Sequence, residues 1–297
     1  MIRVKYAAIA ALLLAFGTAL LGGALLFFQG RQQPNTNAEY VALGSSFAAG
    51  LGLGSRVPGS PIVCQRSVNG YPQQLARMTG RSLTDMSCSG STVSHVLRGG
   101  QVFLGPQIEA LGPRTRLVTL TAGGNDIGYV GDITAMAYQQ RGGLAGFLVE
   151  RFWNGAKPAA ERNFDSLKAD LIATLIEIRR RAPNARIFLV TYPVIIPADG
   201  TCSQLGIGED DAELMRQVGF SLAESTRAAA EEAGVILIDM DQVSAGHHAC
   251  APNAWVNGIA PEQGSPFHPN LAGSRATAEQ IKLALDRADR ASLKAIE

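Results

Sequence analysis

The sequence is poor in charge. Charged residues make up 17% of its 297 residues, and the formal net charge is +1. Such a balance offers no basic surface for nucleic acid and no acidic tail for a cationic partner. The sequence also lacks internal repeats and low-complexity tracts. Because 46% of the residues are hydrophobic, one domain of about 250 residues can bury a sizeable core without a second domain.

Two common motifs for cofactors are missing as well. No Cys-x-x-Cys or Cys/His pair has the spacing of zinc ligands. Residues 50–54 alternate Gly and Leu after a strand-like run, but a dinucleotide fingerprint requires glycine where this sequence has Ser55. No Gly-Lys-Ser or Gly-Lys-Thr occurs either. We therefore expect no metal, no cofactor and no nucleic-acid partner.

The longest apolar run lies near the N-terminus. Residues 7–28 carry no charge, and Thr18 is their only polar interruption. A helix of that length extends ~33 Å, enough to cross a hydrocarbon core of ~30 Å. Arg3 and Lys5 precede the run, whereas Arg31 alone follows it closely. This asymmetry places the N-terminus in the cytoplasm and the rest of the chain outside.

We therefore expect residues 1–30 to form a membrane anchor, residues 31–38 a linker and residues 39–297 a folded domain outside the cytoplasm. The alternative is a signal peptide whose cleavage leaves a secreted protein. The apolar run is longer than the ~7–15 residues usual in a signal peptide, and no clear Ala-x-Ala site follows it.

The four cysteines form an even set in a domain expected to be exported, where disulfides persist. Four cysteines allow three pairings. We expect Cys64–Cys88 and Cys202–Cys250, because pairing within neighbouring loops needs the least crossing of the chain.

Short apolar runs alternate with helical stretches along the chain. The expected strands are Tyr40–Leu43, Leu83–Ser87, Leu117–Thr121, Ile187–Thr191 and Val235–Asp239. The expected helices are Tyr71–Met78, Asn163–Arg181, Asp211–Ala233 and Pro269–Arg287. Alternation of this kind indicates parallel strands with helices on both faces. We expect an α/β fold, a three-layer α/β/α sandwich whose parallel five-stranded sheet has the flavodoxin-like order 2-1-3-4-5.

Four short segments stand beside these elements. In chain order they are Gly44-Ser45-Ser46, Ser89-Gly90, Gly123-Gly124-Asn125-Asp126 and His268-Pro269-Asn270. Their order and spacing resemble the SGNH (GDSL-type) serine hydrolases of secreted bacterial type, whose four blocks carry Ser, Gly, Asn and His. The resemblance covers roughly residues 39–285. It implies the SGNH hydrolase fold and the hydrolysis of carboxylic esters through an acyl-serine intermediate.

The resemblance assigns a role to each block. Ser46 is the expected nucleophile, and the rival Ser45 stands where the family usually has Asp. The backbone N–H groups of Ser46 and Gly90 and the side-chain amide of Asn125 are the expected oxyanion donors. The alternatives are a simple turn glycine at Gly90 and, for Asn125, the cap of a helix over residues 127–138.

His268 is the expected base, since only this histidine has the His-Pro-Asn context; His95, His247 and His248 lack it. The family usually has Asp three residues earlier, where this sequence has Ser265. We therefore expect a backbone carbonyl, that of Ser265 or Pro266, to orient the imidazole. The rival is a distant carboxylate, for which Asp241 is the best placed.

The expected function is that of an exported carboxylic ester hydrolase, esterase- or lipase-like, with a Ser-His dyad or triad. The alternative is a catalytically weak ligand-binding protein on the same scaffold. The expected partners are an ester substrate (lipid, acylated glycan or small acyl ester) and the membrane through residues 7–28, with a monomeric catalytic domain. Residues 131–160, which include Phe147, Leu148, Phe152 and Trp153, form either a wall or lid for an acyl chain or a short helix packed in the core.

Overall fold

A five-stranded sheet in the order β2-β1-β3-β4-β5 forms the centre of the protein, and every neighbouring pair of strands is parallel. The computed structural model describes the backbone of residues 2–294 and the side chains of residues 14–291. The strands are β1 (Tyr40–Gly44), β2 (Leu83–Asp85), β3 (Leu117–Thr121), β4 (Arg186–Val190) and β5 (Ile236–Ile238). The expected fold class and strand order are confirmed.

The helices fall between the strands, as expected. They are α1 (Ile2–Gly30), α2 (Ser46–Ala49), α3 (Tyr71–Thr79), α4 (Val93–Arg98), α5 (Tyr129–Arg141), α6 (Gly143–Phe152), α7 (Phe164–Arg181), α8 (Glu209–Ala233), α9 (Met240–Val243) and α10 (Leu271–Lys294). Short 3-10 turns occur at Ile62–Cys64, Gln107–Ala110 and Ala159–Glu161.

Some boundaries differ from expectation, and the caps explain where helices begin. Helix α10 begins at Leu271 instead of Pro269, because the side-chain oxygen of Asn270 accepts the N–H of Gly273 at 3.0 Å. Helix α7 begins one residue later than expected, since the side chain of Asn163 caps it by accepting the N–H of Ser166. Strand β2 is two residues shorter than expected and ends at Asp85.

Alternation along the strands divides the core into two layers. Val41 and Leu43 of β1 belong to one buried cluster, whereas Tyr40 and Ala42 belong to the other. Successive strand side chains point to opposite faces of a sheet, so each strand contributes to both layers. Helices α4, α5, α7 and α8 pack on the first face, and helices α3 and α10 on the second.

The two central strands end at the same level. In the register of β1 and β3, Gly44 lies opposite Thr121, the last residue of β3. The chain segments that follow these residues therefore leave the sheet side by side at its carboxyl edge. In sheets of this order, that edge is where ligands bind.

Two disulfides brace the loops around this edge. Cys64 is bonded to Cys88, and Cys202 is bonded to Cys250, which are the pairs expected from the sequence. The N–H of Cys88 also donates to the carbonyl oxygen of Gly44 at 2.9 Å. The first disulfide therefore ties the turn Ile62–Cys64 to the end of strand β1.

The anchor expected over residues 7–28 lies within helix α1. Residues 7–13 of that stretch fall outside the described side chains. Among the residues that were described, no helix combines the length and apolar character that a membrane span needs. The anchor over residues 7–28 stays a prediction.

Helix α6 carries the most exposed apolar side chains of the segment 131–160. Leu144, Phe147 and Phe152 are 76%, 60% and 74% exposed, and only Gly146 of this helix is buried. Trp153, just beyond the helix, packs against the core and donates its indole N–H to Asp132 at 3.1 Å. Within residues 131–160, the expectation of a helix packed in the core is thus wrong for α6, whereas Ile133, Met136 and Ala137 of α5 are buried in the core.

Candidate active site

The nucleophile candidate stands where strand β1 turns into helix α2. Gly44, the last residue of β1, has φ 135°, and a Cβ there would lie 2.2 Å from the carbonyl oxygen of Thr121. Only glycine fits so close to the neighbouring strand. The N–H of Ser45 then donates to the same Thr121 oxygen at 2.9 Å. These contacts set the direction in which the chain leaves the sheet at Ser46, which is 7% exposed.

Ser46 and His268 are in direct contact. The Oγ of Ser46 lies 2.8 Å from Nε2 of His268, and the Nδ1 of the same ring lies 2.7 Å from the carbonyl oxygen of Pro266. A carbonyl oxygen only accepts, so Nδ1 carries the proton and Nε2 is free to accept from the serine hydroxyl. Burial lowers the pKa of His268, although the Pro266 carbonyl acts in the opposite sense. The imidazole is therefore neutral near pH 7, as a base must be.

A tight turn directs the Pro266 carbonyl at the ring. The N–H of His268 donates to the carbonyl oxygen of Ser265 at 3.3 Å and closes the turn. Its third residue, Phe267, has φ 57° and is fully buried. A positive φ at this position is typical of a type II turn, whose central peptide is flipped relative to type I. The flipped peptide presents the carbonyl oxygen of Pro266, and not that of Ser265, to Nδ1.

The segment before this turn holds it in place. The N–H of Asn257 donates to the carbonyl oxygen of His268 at 2.9 Å, and its side-chain amide donates to that of Ser265 at 3.1 Å. Val256 and Pro269 form an antiparallel bridge beside these contacts. Val256 and Asn257 therefore hold the loop both before and after His268 in the chain.

The oxyanion candidates lie in two adjacent turns. Gly90 has φ 81°, and the side-chain amide of Asn125 donates to the carbonyl oxygen of the next residue, Ser91, at 2.8 Å. Gly90 and Asn125 are both exposed. No acceptor among the described residues takes the N–H of Ser46 or of Gly90. These N–H groups and the second N–H of the Asn125 amide are thus available to a ligand.

Comparisons with known proteins identify the family of this chain. The model of the GDSL-like Lipase/Acylhydrolase family matches residues 42–276. The chain belongs to this family. Membership makes the protein a serine ester hydrolase, as expected from the sequence.

A curated relative and two solved structures support the same conclusion. Lipase 2 of Streptomyces coelicolor is 36% identical over 266 residues, which cover 83% of this chain and 85% of that protein. The extracellular lipase from Streptomyces rimosus superposes with a TM-score of 0.67 at 25% identity, covering 82% of this chain and 98% of that one. For phospholipase A1 from Streptomyces albidoflavus NA297 the TM-score is 0.65 at 25% identity, with 84% and 98% covered.

In this GDSL-like chain, Ser45 stands where the family usually has Asp, and its side chain contacts Tyr192. The Oγ of Ser45 lies 2.9 Å from the hydroxyl oxygen of Tyr192, which also accepts the N–H of Gly124 at 3.1 Å. Burial raises the pKa of Tyr192 to about 12, so the phenol stays neutral. Ser45 therefore links the nucleophile turn to the block that contains Asn125.

Asp241, the rival acid, is occupied elsewhere. Its carboxylate accepts from Arg227 of α8 at 2.6 Å, and the same guanidinium binds Asp239. The structure thus places a carbonyl, not this carboxylate, against the imidazole of His268.

The other ionisable candidates are used in local structure. The Nδ1 of His95 accepts the N–H of Thr92 in a capping box at the start of α4. The ring of His247 stacks on Trp255 at 3.9 Å between centroids. Within the described part of the chain, no group of three or more His, Cys, Asp or Glu side chains is placed to bind a metal.

Sequence reasoning missed several residues around the site. Tyr192 had a signal, because it follows β4 at the same carboxyl edge of the sheet as the expected site. Gln101 and Gln107 lie in the connection between α4 and β3. Their contacts depend on long-range folding, so no local pattern distinguishes them from other polar loop residues.

Proposed function

We propose that this protein hydrolyses carboxylic esters through an acyl-enzyme on Ser46, with His268 as general base and the Pro266 carbonyl as the group that orients the ring. The observation that carries the proposal is the pair of contacts on one imidazole, 2.8 Å to Ser46 Oγ and 2.7 Å to Pro266 oxygen. A serine hydroxyl is a weak nucleophile until a base takes its proton.

In the first half of the reaction, Nε2 of His268 accepts the hydroxyl proton as Ser46 Oγ attacks the ester carbonyl carbon. The oxygen of the tetrahedral intermediate carries the negative charge. The N–H groups of Ser46 and Gly90 and the amide of Asn125 stabilise this oxyanion. The imidazolium then returns its proton to the leaving alkoxide oxygen, the carbon–oxygen bond of the ester breaks, and an alcohol departs.

In the second half, a water molecule takes the place of the alcohol. His268 accepts one of its protons while the water oxygen attacks the acyl-serine. Collapse of the second tetrahedral intermediate releases a carboxylic acid and returns the proton to Ser46. Throughout, the Pro266 carbonyl keeps Nδ1 protonated and stabilises the positive ring by a hydrogen bond.

The test compares two adjacent serines. Ser46→Ala should lower the turnover of a small chromogenic ester at least ~10³-fold, leaving a residual rate from the oxyanion donors and binding. Ser45→Ala is the matched control, because it removes an equally small hydroxyl whose contact is with Tyr192. It should retain activity within about tenfold. An organophosphonate should label Ser46 in the parent protein.

Two outcomes would reject the proposal. Labelling of Ser45 or another serine would move the nucleophile elsewhere. Absence of turnover for every ester tested, with intact fold, would favour a binding protein on the same scaffold.

We further propose that the natural substrates carry medium or long acyl chains. Support comes from three of the relatives, which are named Lipase 2, extracellular lipase and phospholipase A1. Esters of graded acyl length test this directly. A rate that rises with chain length is expected, and a preference for acetyl esters would contradict it.

We also propose that the catalytic domain acts outside the cytoplasm. Structural disulfides, of which this protein has two, form and persist mainly in oxidising compartments, and the Streptomyces rimosus relative is described as extracellular. Cell fractionation should recover a soluble species that begins near Arg31. A species that retains residues 1–28 and resists carbonate washing would instead establish the anchor; a cytoplasmic enzyme with free thiols would overturn the proposal.

A further inference from the structure

Gln107 has a side chain whose hydrogen-bonding groups are all engaged at the site. It is 4% exposed and lies in the 3-10 turn Gln107–Ala110 before β3. Its Oε1 accepts the N–H of Gly44 at 2.7 Å. Its Nε2 donates to the carbonyl oxygen of Gly44 and to the Oγ of Ser91, both at 3.0 Å. One buried amide therefore joins the residue before the nucleophile turn to the residue after Gly90.

The end of strand β1 needs such a partner. Strand β2 stops at Asp85, which pairs with Ala42, so Gly44 has no strand neighbour on that side. The N–H and C=O of one residue point to the same side of a strand. The carbonyl oxygen of Gly44 accepts the N–H of Cys88. Without Gln107, the N–H of Gly44 would be buried with no acceptor, which is energetically costly. The amide of Gln107 takes the place of the missing strand.

The amide of Gln107 also reaches the turn that contains Gly90, through its hydrogen bond to Ser91. Ser91 Oγ accepts from Gln107 and donates to the side-chain oxygen of Gln101. The amide of Gln101 in turn donates to the carbonyl oxygen of Ser89 at 2.7 Å. Residues on both sides of Gly90 are therefore held by glutamine amides. The carbonyl oxygen of Ser91 also receives the amide of Asn125.

We infer that Gln107 is a positioning residue for ester hydrolysis: it holds the Ser46 turn and the Gly90 turn at the separation that lets their N–H groups converge on one oxyanion. The inference rests on the proposed function. Gln107 does not touch the substrate. Its effect falls on the transition state, because oxyanion donors act on charge that the ground-state ester does not carry.

The decisive variant is Gln107→Met, which keeps the length and buried apolar stem and removes all three hydrogen bonds. We expect kcat to fall ~10–100-fold, as a displacement of the donors by up to 1 Å would cause. KM should stay within about twofold, since ground-state binding is not the target. A boronic acid that forms a tetrahedral adduct with Ser46 should bind more weakly by a similar factor.

Gln74→Met is the matched control. Gln74 is 8% exposed, and its amide donates to the carbonyl oxygen of Asn69 and the Oγ of Ser274, away from both turns. It should lower the melting temperature to a similar extent as Gln107→Met, with kcat and boronate affinity within about twofold of the parent. Ser91→Ala is a milder second variant that cuts only one end of the link, with an expected loss in kcat of ~3–10-fold.

The results of these variants distinguish a failure of the inference about Gln107 from a failure of the proposed function. If Ser46→Ala abolishes activity but Gln107→Met keeps parental kcat, the inference is wrong and the proposed function stands. Equal losses of kcat in Gln107→Met and Gln74→Met would reduce Gln107 to a structural residue and also overturn it. If Gln107→Met fails to fold, Ser91→Ala decides, and an unchanged kcat there rejects the inference. Full activity of Ser46→Ala would instead remove the proposed function on which it rests.

Discussion

The two side chains of the dyad reach their contact from supports of different kinds. Ser46 follows a buried strand, and its position comes from backbone pairing of β1 with β3 through Thr121. His268 follows a loop, and its position comes from a turn closed through Ser265 and from the amide of Asn257. The nucleophile is thus placed by the sheet and the base by a few side-chain and turn contacts.

This difference has an energetic consequence. Loss of sheet pairing at the nucleophile disrupts the core of the domain, whereas loss of one side-chain hydrogen bond at the base removes no buried apolar contact. In addition, Phe267 occupies the left-handed region at φ 57°, which costs a residue other than glycine roughly 1–2 kcal/mol. Its complete burial offsets that cost. We expect changes on the histidine side to alter activity with little change in stability.

Removal of the ring itself should have the largest effect. His268→Ala should lower kcat/KM at least ~10³-fold, similar to Ser46→Ala, because the two side chains act as one unit. The double variant should be no slower than either single variant. Steady-state kinetics with a chromogenic ester and a melting curve measure both points. A double variant slower by the product of the two losses would show that the residues act independently.

Removal of a side chain that holds the His268 loop should cause the second-largest loss of kcat. Asn257→Ala removes the side-chain bonds to Ser265 and Gln263 but keeps the backbone N–H to His268. We expect kcat to fall ~10–100-fold through misplacement of the ring, with the melting temperature nearly unchanged. Asn184→Ala, at an exposed turn before β4, is the control and should be neutral. Parental kcat in Asn257→Ala would mean that the backbone contacts alone place the ring.

Smaller losses of kcat are expected for changes at Asp241 and at the Ser265 hydroxyl, because neither contacts the imidazole of His268. Asp241→Asn breaks an ion pair with Arg227, and Ser265→Ala removes a hydroxyl while the carbonyl that closes the turn remains. Each should stay within about tenfold of parental kcat, because a true acid of a triad contributes ~10⁴-fold. A collapse of activity in Asp241→Asn, with circular dichroism unchanged, would assign the third member to this carboxylate.

The smallest effect concerns pH. Only the neutral imidazole accepts the proton of Ser46, so kcat/KM rises with pH through the pKa of His268 in the free enzyme. Burial lowers that pKa below the ordinary 6.5. At pH 6.5 the enzyme should therefore retain more than half of its plateau kcat/KM. A pH profile with an uncharged ester checks this, and an acid limb centred above pH 6.5 would contradict it.

Much of the fold follows from local patterns. Five apolar runs between amphipathic stretches predicted a parallel sheet, and the order 2-1-3-4-5 is present. The prediction of β2 as far as Ser87 was too long, because the N–H of Gly44 donates to the side chain of Gln107 and not to strand β2, although the N–H of Cys88 still donates to the carbonyl oxygen of Gly44. Asn125 does not cap helix α5, whose N-terminal cap is Gly128. Boundaries depend on which backbone groups find tertiary partners, and the local pattern does not contain that information.

The residues of the candidate site were predicted from the sequence, but the group that orients His268 was not decided by it. The sequence named Ser46, Gly90, Asn125 and His268, and the structure brings the serine and the histidine into contact. The sequence left open whether the carbonyl of Ser265 or that of Pro266 orients the ring of His268. The flipped peptide of the turn presents the carbonyl of Pro266 to Nδ1. The choice depends on the positive φ of Phe267, a conformation that local preference does not predict for a residue other than glycine.

By itself, the amino-acid sequence determined the family, the parallel arrangement of the strands and the residue types at the reacting positions, because these depend on short motifs and on the periodicity of apolar residues. Only the tertiary structure decided how those positions are held. Gln107 meets Gly44 and Ser91 across the end of β1, and Tyr192 meets Ser45 from β4. Such contacts join residues far apart in the chain, and they form because a buried polar group must find a partner wherever the fold provides one.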